Sequence, residues 1–301
     1  IKTLVWTDTF QTLCMLVALV LITVSVAGNL GLGFGEAVTT VAASPMSRIF
    51  MFDDWMSPHN FWKQFVSGIF IVVVMTGLNQ NMMQKNLTCK TLREAQKDMC
   101  TYGFAFVPVN ILFMSLGVLL VMLVNKEGLQ LPQNPDDLLP MFAATGQLGS
   151  VVTVLFIIGV VAASASTVDS SLTALTTSFC VDLKEKPDDE RLRRRVHAGI
   201  TVVFILFILA FRALNSTSVI DAVYVLCSYT YGPLLGLFAF GLLTKRQTDD
   251  RIVPYICVAS PLICLVLDFL TSQFTSYKFG YELLLLNGML TAGGMFINVK
   301  R

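Results

Sequence analysis

Residues 149–177 read "GSVVTVLFIIGVVAASASTVDSSLTALTT". The first half is almost wholly apolar. From Ala163 onward the same run carries eight hydroxyl side chains and one carboxylate, Asp169. An unpaired carboxylate in hydrocarbon costs between about 2.5 and 10 kcal/mol. The stretch therefore reads as a membrane helix that holds something able to offset that cost.

The pattern extends outward from this helix. The 301 residues are 54% hydrophobic and 14% charged, against roughly 25% charge in soluble domains. Crossing a bilayer takes about 20 mostly apolar residues. Eight windows supply them, at 4–27, 61–82, 101–124, 149–180, 196–213, 219–243, 252–271 and 281–298. The expectation is an all-α, polytopic membrane protein with eight transmembrane helices. The short alternating strands of a β-barrel are not present in the sequence. The first window exceeds the apolar core of a signal peptide, carries Asp8 and Gln11, and lacks a small-residue cleavage site, so it reads as a span. Opening on Ile1 directly at a span, the chain reads as part of a longer protein. Its seven cysteines are scattered without a CxxC pair, which points to packing and not to a metal or redox centre.

Charge orients the spans. Of the 21 Lys and Arg residues, Arg48, Lys63, Lys126, Arg212 and Lys278 fall on one side, and all others fall on the opposite side. The second group includes the segments "QKNLTCKTLREAQK" and "DLKEKPDDERLRRRVH". Positive charge marks the cytoplasmic face, so both chain ends are expected in the cytoplasm, with the protein in the cell (inner) membrane. A net charge of +1 gives no reason to expect nucleic acid as a partner. Arg191, Arg193, Arg194 and Arg195 read as a juxtamembrane anchor in the lipid bilayer.

The loop over 29–60 is expected to hold one or two short interfacial helices. Its glycines mimic a nucleotide loop but follow a membrane helix instead of a strand. Pro135 and Asp136 suit a helix start. Asn86 and Asn215 match the glycosylation pattern. The fourth span, 149–182, is over-long at about 51 Å against a core of about 30 Å, so it must tilt, kink or project.

On a helix, Ala163, Ser166, Thr167 and Ser170 share one face and Asp169 flanks it. Such a stripe offers hydroxyl oxygens, an upstream carbonyl and one carboxylate, the donor set preferred by a hard cation such as sodium. Close helix packing explains serines as well, but it does not require Asp169. Two further spans carry similar features. In "LVWTDTFQ" (4–11), Asp8 and Gln11 lie one turn apart. In "FVSGIFIVVVMTGLNQNMMQK" (65–85), Gly68 and Gly77 interrupt the apolar run before Asn79 and Gln80. Glycine-interrupted transporter helices expose unwound backbone to a binding site, so a break is expected between Gly68 and Asn79.

Taken in order, "WTDTFQ", "GLNQNMMQKNLTCKTLREAQK", "ASASTVDSSLTALTTSFCVDL" and "YTYGPLLGLFAFGLLTKR" resemble the sodium:solute symporter family over essentially the whole chain. The resemblance implies the C-terminal part of an inverted-repeat fold of five plus five helices. Residues 1–28 then form the last helix of the first repeat, and 29–60 an external loop. Residues 61–243 form the second repeat, and 244–301 two peripheral transmembrane helices. It further implies sodium-coupled import of a small polar organic solute by alternating access. The implied shared sodium site uses Ala163, Ser166 and Thr167, and a second sodium site uses Asp8, Ser166, Asp169 and Ser170. The implied substrate residues are Thr76, Asn79, Tyr224 and Ser228. The apolar stretch Ile69–Met75 and the lack of lysine over 101–110 set the chain apart from the family's sugar carriers. Two rivals remain at this point. One is a membrane sensor module of the same fold coupled to a signalling domain. The other is an intramembrane enzyme, which the absence of GxGD and HExxH and the placement of His59 and His197 near loops disfavour.

Overall fold

Hydrocarbon offers backbone N–H and C=O groups no solvent partner, so a chain this apolar closes its hydrogen bonds within helices. The computed structural model describes residues 2–298 except 187, 215–217, 276 and 278, and gives the backbone alone at 2–5, 7, 8, 81, 84, 85 and 214. The helices are α1 (Lys2–Leu30), α2 (Phe34–Ala43), α3 (Phe61–Val72), α4 (Gln80–Asn86), α5 (Leu92–Glu127), α6 (Leu138–Ala143), α7 (Ser150–Thr177), α8 (Glu190–Leu214), α9 (Val219–Leu243), α10 (Val253–Phe274) and α11 (Leu283–Ile297). There is no strand among the described residues. The protein is all-α, and among the described residues seven helical stretches are long and apolar enough to cross a membrane. The eighth window yields α11, which at 15 residues is about 22 Å long and falls short of a full core thickness.

Each departure from the predicted windows has a local cause. The third span begins nine residues early because Thr91 caps it. Its Oγ1 accepts the Glu94 N–H at 3.2 Å, and Glu94 in turn accepts the Lys90 N–H at 3.1 Å. Both bonds fix the chain where the helix starts. The helix then runs 36 residues to Gly128, whose φ of +66° is the left-handed stop that glycine tolerates. The fourth span keeps its polar stretch fully α-helical and ends in a π-helical turn, Ser178–Leu183. The second span breaks in the expected interval. After α3 comes a π-helical turn, Val73–Leu78, and then Asn79 in extended geometry (φ −80°, ψ 122°) before α4 resumes. The short helices in the 29–60 loop are α2 and a 3₁₀ turn, Pro45–Ser47, and the Pro135 start is a 3₁₀ turn leading into α6. Asn86 closes α4, whereas Asn215 lies outside the described residues.

The chain divides into two compact units. The first comprises Ile1–Ser47 and Lys85–Ser218. Its core joins Leu19, Ile22 and Val26 of α1 to Leu116, Leu119 and Leu123 of α5, with Phe142 and Val152 closing it. The Lys126 ammonium donates to the carbonyls of Asn29 (2.9 Å) and Leu30 (3.0 Å) at the end of α1, where the helix dipole favours a cation.

The second unit comprises Arg48–Gln84 and Val219–Arg301. Here α9 and α11 pack backbone to backbone. A Cβ on Gly232 would meet Asn287 at 2.2 Å, and one on Gly236 would meet the Gly288 carbonyl at 2.6 Å. Small residues four apart permit this approach between membrane helices. Asn287, fully buried, donates to the carbonyls of Ser228 (3.1 Å) and Tyr229 (2.8 Å) and accepts from Ser260 of α10. A single amide thus ties three helices together.

Candidate functional site

The polar face of α7 is built by its packing on α1. Met15 lies against Gly159, where a Cβ would sit 3.3 Å from Met15 Cγ. One turn along α1, the Gln11 amide donates from Nε2 to the Ala162 carbonyl (2.9 Å) and accepts at Oε1 from the Ala163 N–H (3.3 Å). As α1 advances from Gln11 to Met15, its contacts on α7 retreat from Ala163 to Gly159, so the helices are antiparallel. Three residues back along α1, the same register carries Asp8 to the level of Ser166. The Asp8 backbone is helical, but its side chain lies outside the described residues.

The stripe expected to hold sodium divides by exposure. Ala163 and Ser166 are half-buried and Ser170 is buried. Thr167 and Asp169 are exposed. The Ser170 hydroxyl has no hydrogen-bond partner, although serine in a membrane helix ordinarily bonds to its own backbone. Nearby Ser164 does so, donating to the Val160 carbonyl at 2.8 Å. An orphaned buried hydroxyl costs about 1–3 kcal/mol, and such a group calls for an unseen partner such as an ion. No cluster of three or more His, Cys, Asp or Glu exists among the described residues, so any cation held here relies on hydroxyl and carbonyl oxygens, with a single carboxylate at most from each helix.

The four expected substrate residues fall in the second unit, around the break after α3. Thr76 sits in the π-helical turn. The Asn79 amide donates to the Tyr231 hydroxyl at 3.3 Å. The Tyr224 ring lies 5.1 Å from that of Tyr281, whose hydroxyl donates to Asp221 at 2.7 Å. Ser228 is buried, and its hydroxyl donates to the Tyr224 carbonyl at 2.9 Å, so its oxygen is engaged within its own helix. Thr76 and Asn79 thus lie on the interrupted segment, and Tyr224 and Ser228 one turn apart on α9.

Two contacts were not legible in the sequence. Gln11 was legible as a neighbour of Asp8, though not as a clasp on the α7 backbone. Tyr231 stands within the quoted stretch "YTYGPLLGLFAFGLLTKR", but nothing local marks it as a partner of Asn79, because an aromatic in an apolar helix ordinarily reads as core or lipid-facing surface.

The family model described as the sodium:solute symporter family matches residues 1–250. Among curated proteins, the sodium/sialic acid symporter SiaT of Proteus mirabilis is 25% identical over 279 residues, covering 86% of this chain and 54% of that protein. The sodium/sialic acid symporter NanT of Aliivibrio fischeri is 24% identical, covering 97% of this chain and 60% of that protein. The human sodium-coupled monocarboxylate transporter 2 is 27% identical, covering 80% of this chain and 41% of that protein. The chain thus spans about half the length of the curated relatives it matches.

Proposed function

Because the chain belongs to the sodium:solute symporter family, a family of transporters and not of enzymes, we propose that it forms the C-terminal part of a sodium-driven symporter. It imports a small polar organic solute by alternating access across the cell (inner) membrane, with both ends of this chain in the cytoplasm. Sialic acid and the monocarboxylates, named for the relatives, both carry a carboxylate, so the solute class favoured here is a small organic anion. In this reading residues 1–28 close the first repeat, 61–243 form the second, and 244–301 add two peripheral helices.

The single observation that carries the proposal is the buried, unpartnered Ser170 hydroxyl on the polar face of α7. Sodium, as cargo, is the partner assigned to it. Ala163, Ser166 and Thr167 serve the shared ion, and Asp8, Ser166, Asp169 and Ser170 serve the second. Helix packing alone gives no reason to bury an unsatisfied oxygen. Thr167 and Asp169, both exposed, supply the remaining α7 donors. Thr76, Asn79 and Tyr224 are the proposed solute contacts, with Ser228 shaping the α9 backbone behind them.

The test is uptake by the natural full-length protein in liposomes, with sialic acid and short monocarboxylates as probes and sodium replaced by potassium as control. Uptake of one of these, driven by an inward sodium gradient, is expected. Equal uptake in potassium would end the sodium-coupled reading.

A further inference from the structure

The first turn of α3 carries a lysine that a loop-and-span reading assigns to the surface. The Lys63 side chain is instead only 5% exposed, with Nζ 3.7 Å from Oε1 of Glu282 and 3.8 Å from the centre of the Tyr277 ring. Tyr277 donates its hydroxyl to the same Glu282 oxygen at 2.9 Å. One turn along α3 from Lys63, Ser67 is completely buried. Below it, Ile71 and Val74 pack against Leu284 of α11. Gly280 meets Pro58 so closely that a Cβ there would lie 3.3 Å from the Pro58 ring. Tyr277, Gly280 and Glu282 therefore grip the Asn60 end of the interrupted helix.

The grip is incomplete. Lys63 Nζ, Ser67 Oγ and Glu282 Oε2 are buried and lack any hydrogen bond. At 3.7 Å the ion pair is beyond hydrogen-bond length. A fully satisfied buried network rigidifies, whereas a partly satisfied one pays desolvation without full return. Separation would hydrate all three orphaned atoms, while cation–π attraction and the apolar contacts below oppose it. The balance is that of a contact able to open. Directly past the gripped half lies the π-helical turn Val73–Leu78 and extended Asn79, the place where this helix yields most readily.

We propose that Lys63, Tyr277 and Glu282 form a releasable clamp by which the α10–α11 hairpin holds the Asn60 half of the interrupted helix and regulates its bending at Val73–Asn79. Tyr277 and Glu282 lie beyond residue 250, where the family match ends, whereas Lys63 lies within it. Only its consequence for uptake rests on the transport reading.

The test uses the natural full-length protein in lipid nanodiscs, spin-labelled at Val66 and Met289, both exposed. The variants are Lys63→Met, Glu282→Gln, and Lys63→Met combined with Glu282→Met. The parent protein should show one dominant distance, with any second population under about a tenth. Each single variant strands a buried charge or amide, so the second population should rise to about half and Tm should fall by about 5 °C or more. The charge-free pair should restore the single distance, with Tm above either single variant. Tyr277→Phe, which keeps the ring and removes only its hydrogen bond, should shift the populations the same way as Glu282→Gln but less. Identical distance distributions in all these proteins would overturn the clamp, as would a double variant no more stable than the singles. The distance readout needs neither sodium nor solute, so failure of sodium-driven uptake would refute the transport reading without touching the clamp.

Discussion

Replacing Ser170 by alanine separates an ion ligand from a packing residue, because the two roles predict opposite signs in two measurements. The Ser170 side chain is buried and its oxygen lacks a partner. In sodium-free buffer, Ser170→Ala deletes an unsatisfied polar atom and leaves the methylene in place. The gain is the desolvation cost of that atom, about 1–3 kcal/mol. At about 2–4 °C per kcal/mol for a domain of this size, Tm of the full-length protein should rise by roughly 2–12 °C. In sodium, the same change removes an ion ligand of similar worth. The half-saturating sodium concentration for uptake should increase roughly 5- to 150-fold at about 1.4 kcal/mol per tenfold. The stabilisation sodium confers by mass action should shrink accordingly. If Ser170 serves a second ion, the Hill coefficient for sodium should drop toward one. Thermal melts with and without sodium, paired with uptake curves, supply both readings. A fall in sodium-free Tm would mean that the hydroxyl has a stabilising partner. An unchanged sodium half-saturation would remove Ser170 from the site. Either result refutes the reasoning.

Ser166→Ala and Thr167→Ala should each weaken sodium activation by roughly 5- to 150-fold, measured as uptake against sodium concentration; unchanged half-saturation in both would sink the shared-site assignment. Gly232→Ala drives a methyl into Asn287, which lies 2.2 Å from the new Cβ. Overpacking of this kind costs about 1–3 kcal/mol or more, so Tm should drop by several degrees, and a Tm within one degree of the parent would contradict the close α9–α11 packing. Burial first, and then the Glu282 carboxylate that accepts its hydroxyl, push the Tyr277 phenol up to about 12. The folded protein keeps this proton after the unfolded chain has lost it near pH 10. This contribution is complete below about pH 10 and is lost as pH rises toward 12. Tyr277→Phe should flatten that part of the alkaline Tm profile, and an equally steep decline in the variant would count against the contact.

The sequence by itself determined the helical membrane class, the polar stripe on α7 and the interruption between Gly68 and Asn79. Each follows from local chemistry: hydrocarbon forces backbone bonds into helices, and a 3.6-residue period assigns faces. Glycine beside amides marks where such a helix can yield. Sequence periodicity places a side chain at an angle on its own helix, but the neighbour that covers that angle comes from elsewhere in the chain. Only the tertiary structure decided that Ser166 and Ser170 turn inward while Thr167 and Asp169 stay exposed, because that division depends on which neighbours cover α7. Gln11, more than 150 positions away in sequence, sets one such contact through the backbone of Ala162 and Ala163. The same holds for Lys63, a loop charge by sequence and a buried one in the fold, because the carboxylate and ring that cover it arrive from residues 277–282. It holds again for α11, too short to span on its own yet fastened to α9 and α10 through Asn287. Close approach at Gly232 and Gly236 is a property of two helices together, and neither helix shows it alone.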